Sequence, residues 1–285
     1  MCDTQNGSDL FRLAEKRVKN YARSVAAVKT NMSKRQRLKA EQGRSAQESN
    51  FNWNEVIDVS CMSCSSENQY PVNAGSSSSG AGNLFDLSFI SPGLFLVSNA
   101  LSVEEQIHWA SKAVEEYSTA EHNNLNNLSS LYEASSIVDL WKDSVSEEVP
   151  FQLFSKLRWS CLGYHYDWTK RMYQKNLKSE FPPDLSALCS SIAKSAGLDL
   201  VVEAAIVNYY PAGASMGGHL DDAEHTLEKP IISISLGLSA IFLIGGRDRT
   251  VAPTPILVRS GDAVIMSGES RYCFHGVPLI LPADF

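Results

Sequence analysis

The stretch Asn208-Tyr-Tyr-Pro-Ala-Gly-Ala-Ser-Met-Gly-Gly-His-Leu-Asp221 decides how this 285-residue chain is interpreted. It places His219 and Asp221 two positions apart, and side chains at that spacing point to the same side of an extended segment. A further histidine, His275, follows much later in a segment with strand character. Two imidazoles and one carboxylate around open coordination positions form the facial triad of non-haem Fe(II) oxygenases. The stretch therefore predicts a metal site made by these three residues.

Asn208 and Tyr210 precede the metal pair and are also spaced by two, so an extended segment presents both on one face. An amide and a phenol beside a metal can hydrogen-bond a carboxylate ligand. His-x-Asp alone arises by chance, and the six histidines of the chain allow many pairings. The prediction therefore depends on the combination of Asn-x-Tyr, a Gly-rich loop, His-x-Asp and a strand-borne histidine.

Short β-rich runs separated by turn residues fill the chain from Val201 onward. They are Val201–Tyr210, Ile231–Ile244, Pro255–Val258, Ala263–Met266 and Tyr272–His275. Such runs fit an all-β barrel or a double-sheet jelly roll. In Ile232-Ser-Ile-Ser-Leu236 apolar and hydroxyl residues alternate, so one face packs and the other can line a polar cavity. With the helices predicted before it, the chain is expected to be mainly β, of the α+β class.

Three segments of different composition are predicted. Residues 1–64 form a basic N-terminal segment, whose first 44 residues hold eleven Lys/Arg and four Asp/Glu, with one helix over 9–28. Residues 65–84 are rich in Ser and Gly and predict a flexible linker. Residues 85–285 form the ordered domain. The buried stripe of the first helix is predicted to contain Leu10, Leu13, Ala14, Val18, Tyr21 and Val25.

Further helices are predicted inside the domain. Ser102-Val-Glu-Glu105 is a capping box that opens one of them. Residues 183–194 predict an amphipathic helix that ends at Gly197, and the Asn/Ser-rich residues 118–136 predict an insertion. The apolar stripe of the helix after the capping box is predicted to contain Val103, Ile107, Ala110, Val114 and Tyr117.

An aromatic segment over residues 157–168 has two interpretations. Half-buried strand residues are the commoner meaning of such a pattern. A wall on which a flat nucleobase stacks is the alternative. The aromatic residues concerned are Trp159, Tyr164, Tyr166 and Trp168.

The whole-chain composition limits the class of protein. An apolar content of 44% suffices for a full core. No apolar run reaches the roughly 18 residues of a membrane span, so we expect a soluble protein without a membrane partner. We also expect a monomer. Six scattered cysteines indicate a reducing compartment, cytoplasm and/or nucleus, with a mitochondrion or other organelle as the alternative. Cys61-x-x-Cys64 has no second pair at zinc-site spacing. The basic segment is either a nucleic-acid contact or a solvated helix.

Six runs of the sequence occur in the order that is typical of one enzyme family. Through them residues 93–278 resemble the AlkB family of Fe(II)/2-oxoglutarate dioxygenases, most of all the AlkB homologue 1 subfamily and its plant members. The runs are Asn208-Tyr-Tyr, Gly217-Gly-His-Leu-Asp221, Lys229-Pro-Ile-Ile-Ser-Ile-Ser-Leu-Gly237, Ala240-Ile-Phe-Leu-Ile-Gly-Gly246, Ser260-Gly-Asp262 and Gly268-Glu-Ser-Arg-Tyr-Cys-Phe-His-Gly-Val-Pro278.

The resemblance implies a double-stranded β-helix (jelly roll) with supporting N-terminal helices, in which the His-Asp-His set holds Fe(II). It implies that Asn208, Tyr210 and Ser233 contact the co-substrate 2-oxoglutarate, and that O2 is consumed. The implied reaction is oxidative demethylation of N-methylated bases in DNA or RNA, including tRNA, with release of formaldehyde. Because a duplex hides the methyl group, a single-stranded, looped or flipped base is expected. Substrate contact is implied for Trp159, Tyr164, Tyr166 and Arg249.

Two departures from the family pattern lead to a further expectation. In the family, an Arg-x-Asn-x-Thr-x-x-Arg segment follows the last histidine, and its first arginine pairs with the distal carboxylate of 2-oxoglutarate. This sequence reaches Phe285 without that segment and has Leu279 where close relatives have arginine. Position 223 is alanine where some relatives have an acidic substrate contact, and Asp222 or Glu224 is the alternative. We expect a domain that lacks its last strands and binds 2-oxoglutarate weakly.

Three functions stay open at this point. The first is a nucleic-acid demethylase of the AlkB type. The second is a catalytically impaired, shortened form that acts as a metal- and nucleic-acid-binding module. The third is an oxygenase that uses the same triad on protein or small molecules.

Overall fold

The computed structural model describes residues 8–29, 51–62, 82–122, 139–146, 151–211 and 213–283, leaving out the side chains of 23–29 and 151–152. Most of the predicted linker 65–84 and of the predicted insertion 118–136 therefore lies outside the described residues. The described helices are α1 Leu10–Lys29, α2 Val59–Met62, α3 Val103–Glu115, α4 Leu140–Val145 and α5 Pro183–Ser195. The described strands are β1 Asn83–Asp86, β2 Leu94–Ser98, β3 Trp159–Asp167, β4 Met172–Lys178, β5 Ala204–Asn208, β6 Met216–His219, β7 Ile231–Ile234, β8 Ala240–Ile244, β9 Thr254–Val258, β10 Ala263–Met266 and β11 His275–Ile280.

Two four-stranded antiparallel sheets pack face to face at the centre of the fold. One has the strand order β1-β2-β10-β7 and the other has the order β6-β11-β8-β9. Side chains from both sheets meet in one buried cluster, which includes Leu94, Leu96, Val264, Phe242 and Ile256. Two sheets that enclose such a layer form a jelly roll. The prediction of a mainly β, double-stranded β-helix is confirmed.

Helices cover the outer faces of both sheets, which explains why the central strands read as continuous apolar runs. In β10, Val264 faces the layer between the sheets, whereas Ala263 and Ile265 pack with Trp109 of α3 and Ile192 of α5. Burial of both faces removes the polar alternation that a half-exposed strand would show. Among the described residues, no helix combines the length and the apolar composition that crossing a bilayer requires.

Helix α1 packs on the outer face of the second sheet, and its predicted stripe is confirmed at Ala14, Val18 and Tyr21 but not at Leu13; the side chain of Val25 lies outside the described residues. Leu13 is 43% exposed, whereas Phe11, which was left out of the predicted stripe, is fully buried. Phe11 and Val18 pack against Ile241 and Leu279 of that sheet. The stripe is displaced because the face that fits the sheet runs through residues 11, 14, 15 and 18.

The capping box of α3 is confirmed, and the predicted stripe is wrong at Val103 and Ile107, whereas Tyr117 at its end is buried. The Ser102 side chain accepts from the Glu105 N–H at 3.2 Å, and the Glu105 carboxylate accepts from the Ser102 N–H at 2.8 Å. Val103 and Ile107 are 65% and 63% exposed. The helix instead buries Trp109, because the first sheet meets it on that side.

Several strand boundaries differ from the prediction. The run Ile231–Ile244 splits into β7 and β8 at a turn that contains Gly237, whose φ is 89°. The run Tyr272–His275 is not a strand: Tyr272 ends a 3-10 helix, Gly268–Tyr272, and β11 begins only at His275. Strand β1 begins at Asn83, inside the predicted linker, because Leu84 supplies a side chain to the core.

A third sheet, with the order β4-β3-β5, stands beside the jelly roll. Strand β3 pairs with β5 up to Gly163 and then with β4 from Tyr164 onward. Gly163 has φ 70°, and a Cβ at this position would overlap the carbonyl oxygen of Glu203. Only glycine fits this change of partner. The predicted aromatic strand therefore exists, as half of a hairpin that turns away from the barrel.

Candidate metal centre and substrate cavity

The register between β6 and β11 brings the two predicted histidines together. His219 lies directly opposite His275 in this antiparallel pair. Directly opposed residues have their Cβ atoms about 5 Å apart on one face of the sheet, and the two imidazole centroids are 4.3 Å apart. Asp221 follows two residues after His219, and its carboxylate lies 3.6 Å from His219 Nε2 and 3.3 Å from His275 Nε2. The three side chains therefore converge as the sequence predicts.

Hydrogen bonds fix which nitrogen each histidine presents to the centre. His219 Nδ1 lies 3.0 Å from the Gly217 carbonyl oxygen, and His275 Nδ1 lies 3.2 Å from that of Cys273. A carbonyl oxygen only accepts, so each Nδ1 donates its proton there and Nε2 is the ring nitrogen left to bind a metal. Burial and the neighbouring His275 lower the pKa of His219, which favours its neutral form. Both Nε2 atoms thus face the centre as electron-pair donors.

Asp221 is ionised despite its partial burial. Burial opposes ionisation, but the nearby His275 and His219 rings and the buried Arg271 guanidinium lower the pKa of this carboxyl below its ordinary value. Two imidazole lone pairs and a carboxylate would repel one another without a cation between them. The candidate ligand atoms lie within 4.8 Å of one another. Their nature and spacing fit a divalent ion in the two-His, one-carboxylate arrangement.

Arg271 is a functional candidate that the sequence reasoning missed. It is 3% exposed, and its guanidinium donates to the carbonyl oxygens of Asp221 and Lys229 and, at 2.8 Å, to the Glu224 carboxylate. It therefore ties the loop after Asp221 to the 3-10 helix that precedes His275. The sequence did offer a signal for Arg271, which is a charged residue four positions before His275 in a largely buried run. An arginine is seldom fully buried unless it is paired.

A cavity of about 2140 Å³ extends from these ligands between the jelly roll and the third sheet. Asn208, Tyr210 and Ser233, the three predicted 2-oxoglutarate contacts, all line it together with the metal candidates. Burial raises the pKa of Tyr210 to about 12, so its hydroxyl keeps its proton at neutral pH. The structure thus places an amide, a phenol and a hydroxyl on the walls of one space with the ligand set.

The aromatic wall of this cavity, defined as Tyr164, Tyr166, Trp168 and Tyr173, contains two of the predicted substrate residues. Tyr166 lies between Trp168 and Tyr173, with ring centroids 4.8 and 5.3 Å away. Trp168 is 47% exposed. Trp159, a predicted substrate residue, does not line the cavity and packs behind Trp168 at 4.7 Å. Tyr173 was missed because it lies on β4, which was not predicted.

Arg249, the fourth predicted substrate residue, also lies outside the cavity lining. Its guanidinium donates to the carbonyl oxygen of Gly218, lies 3.6 Å from the Asp9 carboxylate and stacks on the Phe274 ring at 4.9 Å. These partners are on the outer side of β6, so the placement does not support the predicted substrate contact. The arginine lies on that side because α1 offers it an acidic and an aromatic partner.

Comparison with known proteins gives consistent results. Residues 93–284 match the family model of the 2OG-Fe(II) oxygenase superfamily. The DNA N(6)-methyladenine demethylase ALKBH1A of Arabidopsis thaliana is 36% identical over 68% of this chain and 65% of its own length. The nucleic acid dioxygenase ALKBH1 of Homo sapiens is 38% identical over 67% of this chain and 51% of its own length. The tRNA demethylase abh1 of Schizosaccharomyces pombe is 36% identical over 67% of this chain and 69% of its own length.

The chain thus spans about half to two thirds of the length of these curated relatives. The superfamily uses Fe(II), 2-oxoglutarate and O2, and the donor set of the cavity suits that metal. The family match covers the jelly roll together with the candidate ligands. The chain therefore belongs to the 2OG-Fe(II) oxygenase superfamily and, within it, to the AlkB family and its ALKBH1 subfamily.

Proposed function

We propose that this protein is an Fe(II)- and 2-oxoglutarate-dependent dioxygenase that removes methyl groups from N-methylated bases of DNA or RNA, including tRNA. The observation that carries the proposal is the convergence of His219, Asp221 and His275 on one point at the wall of a large cavity with an aromatic wall. The relatives named as demethylases of DNA and tRNA support the substrate class.

In this proposal the chain holds the metal through the two Nε2 atoms and the Asp221 carboxylate. The carbonyl oxygens of Gly217 and Cys273 orient the imidazoles, because each accepts a hydrogen bond from an Nδ1–H and so fixes the ring. Fe(II), when bound with 2-oxoglutarate and O2, supplies the oxidation of an N-methyl group to a hydroxymethyl group that releases formaldehyde. The coordination positions left open by three protein ligands are what this chemistry requires.

The polar residues of the cavity are proposed to orient the co-substrate. Tyr210 keeps its proton, so its hydroxyl can donate to a carboxylate. Asn208 ends β5, and its side chain is exposed towards the cavity. Ser233 is exposed on β7, in register with Val264. All three are uncharged and therefore fix orientation more than they add electrostatic attraction.

The aromatic wall is proposed to stack the methylated base. Aromatic faces bind any base, each contributing about 1–3 kcal/mol. The third sheet that bears the wall is separate from the jelly roll, which leaves room for an extruded or single-stranded base. The exposed ion pair between Arg171 and Asp222, at 3.5 Å, links the hairpin turn to the loop after Asp221 at the rim of this space.

A metal- and nucleic-acid-binding module with little turnover is the second candidate. The observation that favours it is the state of the two arginines that line the cavity. Arg271 is fully engaged by Asp221, Lys229 and Glu224, and Arg171 pairs with Asp222. A strong bidentate anchor for the distal carboxylate of 2-oxoglutarate is therefore not available among the described residues that line the cavity. Equal 2-oxoglutarate affinity of this chain and of a version extended by an arginine-bearing strand would remove this candidate.

Formaldehyde release from short oligonucleotides tests the main proposal. Single-stranded DNA with N6-methyladenine and RNA with N1-methyladenine are incubated with the protein, Fe(II), ascorbate and 2-oxoglutarate, and formaldehyde and succinate are both measured. We expect both products in equal amounts, and neither from unmethylated oligonucleotides. Succinate formation without formaldehyde from any methylated strand would contradict the nucleic-acid substrate while leaving the oxygenase intact.

A further inference from the structure

The strand that carries His219 is short and, among the described strands, pairs with one neighbour only. β6 has four residues at the edge of its sheet, and its pairing with β11 shifts register between His275 and Val277. Short edge strands with few ladder bonds open locally at low cost. A metal ligand, in contrast, must be held to about 0.5 Å for its chemistry. The ladder to β11 alone is a weak support for such a residue.

Gly218, the residue directly before His219, has both of its backbone polar groups bound by side chains from distant parts of the chain. Its N–H donates to the Glu15 carboxylate, and its carbonyl oxygen accepts from the Arg249 guanidinium. Glu15 is 8% exposed although it belongs to the basic N-terminal segment. A buried carboxylate that accepts a backbone N–H forms a charge-assisted bond, which is stronger than a neutral one.

Helix α1 connects these two side chains. The Phe11 N–H donates to the Arg249 carbonyl oxygen at 3.1 Å, and Asp9 lies 3.6 Å from the guanidinium. The fully buried Phe11 ring packs so closely below Gly218 that a Cβ there would overlap it. Glycine at 218 is thus what lets α1 approach β6 closely enough for Glu15 to reach the backbone.

We propose that Glu15 and Arg249, named here the Gly218 clamp, are positioning residues for the metal ligand His219. The clamp fixes the edge strand from the side that β11 does not cover, and it makes the N-terminal helix part of the metal site. The inference rests on the metal site proposed above. Glu15 does not touch the ligands, so it acts on metal binding only through the backbone of Gly218 and His219.

Binding of Co(II) to the full chain tests the clamp, because its visible absorption reports both affinity and ligand geometry. We expect wild type to bind one Co(II), and Glu15→Ala to bind it about 10-fold more weakly with an altered spectrum, the range seen when a group that orients a ligand is removed. Glu15→Gln keeps an acceptor oxygen and is expected to stay within about 3-fold of wild type.

Val18→Ala and Lys16→Ala are the matched controls on the same helix. Val18 is buried with α1 on the sheet, so its truncation lowers the melting temperature without touching Gly218, whereas Lys16 is exposed. We expect both variants to keep the Co(II) affinity and spectrum of wild type. Equal weakening by Val18→Ala and Glu15→Ala at equal loss of stability would show a merely structural role and overturn the clamp.

Arg249→Ala tests the other half of the clamp at a side chain that is partly exposed. We expect Arg249→Ala to bind Co(II) several-fold more weakly than wild type. In a double variant with Glu15→Gln the two losses of affinity should add, because Gln retains the bond to Gly218. With Glu15→Ala the losses should be non-additive, since both side chains act on one residue. Unchanged affinity in Arg249→Ala, or strict additivity with Glu15→Ala, would contradict the clamp. Failure of wild type to bind Co(II) would instead contradict the metal site itself.

Discussion

The cavity has a metal end, formed by His219, Asp221 and His275, and an aromatic wall, and the two are built in opposite ways. The metal end uses paired strands of the jelly roll, with His275 at 7% exposure and both histidine rings oriented by hydrogen bonds to backbone carbonyl oxygens. The wall uses a hairpin outside the jelly roll, and its Trp168 is 47% exposed. We infer that the ligand geometry is fixed before substrate arrives, whereas the wall can adjust to the base.

This difference explains which site residues the sequence could predict. The spacing of two that puts His219 and Asp221 on one side is local in the sequence, whereas the opposition of His219 and His275 is a pairing register that the structure shows. The wall depends on the change of partner at Gly163 and on Tyr173 from an unpredicted strand. Trp159 was therefore assigned to the cavity although it packs behind Trp168.

The largest expected effect is the loss of a metal ligand. His219→Ala should reduce formaldehyde release more than about 100-fold, because removing a ligand exceeds the 10- to 100-fold cost of disturbing a group that orients one. His108→Ala is the matched control, since this histidine is exposed on α3 and does not line the cavity. Turnover retained in His219→Ala would show that the metal end is elsewhere.

Replacing Arg271 tests how rigid the metal end is. Arg271→Met should lower the free energy of unfolding by about 3 kcal/mol, because it leaves a partly buried carboxylate and two carbonyl oxygens without their donor. Chemical denaturation measures this loss. Glu224→Gln removes only the ionic partner at 2.8 Å and should cost less. A similar small cost for both variants would mean that the loop after Asp221 does not depend on Arg271.

A substitution in the aromatic wall should weaken oligonucleotide binding without changing metal affinity. Tyr166→Ala should raise the Kd for a methylated oligonucleotide about 10-fold, since one stacked base is worth about 1–3 kcal/mol. Fluorescence anisotropy measures the Kd, and Phe89→Ala, an exposed aromatic outside the cavity, is the control. If Tyr166→Ala weakened metal binding as well, the two ends of the cavity would not be independent.

The smallest expected effect is on stability, and it concerns an ion pair that belongs neither to the metal end nor to the aromatic wall of the cavity. Arg259 donates to both oxygens of Asp58, which holds the pKa of this carboxyl at about 2. Because the pKa of Asp58 is lower in the folded protein than the unfolded value of 3.8, its ionised form stabilises the fold above pH 3.8. This stabilisation is lost as the pH falls towards 2. After allowance for solvent exposure, Asp58→Asn should cost about 1 kcal/mol at pH 7.

That difference between wild type and Asp58→Asn should disappear in urea unfolding near pH 2. Co(II) affinity and oligonucleotide binding should not change, because neither Asp58 nor Arg259 lines the cavity. A stability difference that persists undiminished at pH 2 would show that the ion pair is not its cause.

The fold was more predictable than its helix faces. The β-rich runs predicted the jelly roll because turn residues separate them. The strands are buried on both faces, and this burial is visible in the sequence as continuous apolar runs. The stripes of α1 and α3 were assigned correctly only in part, with Phe11 omitted and Val103 included, because several faces of each helix carry apolar residues. Which of these faces is buried depends on the sheet that each helix meets, and that information is not local. Arg271 and Glu15 were missed for the same reason, since their partners are far along the chain.

Titration of the protein with Mn(II), followed by electron paramagnetic resonance, tests the central claim most directly. We predict one tightly bound ion per chain in wild type and in His108→Ala, and none in His275→Ala, because the opposed pair of histidines on β6 and β11 would be broken. Equal Mn(II) binding by His275→Ala and wild type, or no binding by wild type, would contradict the account.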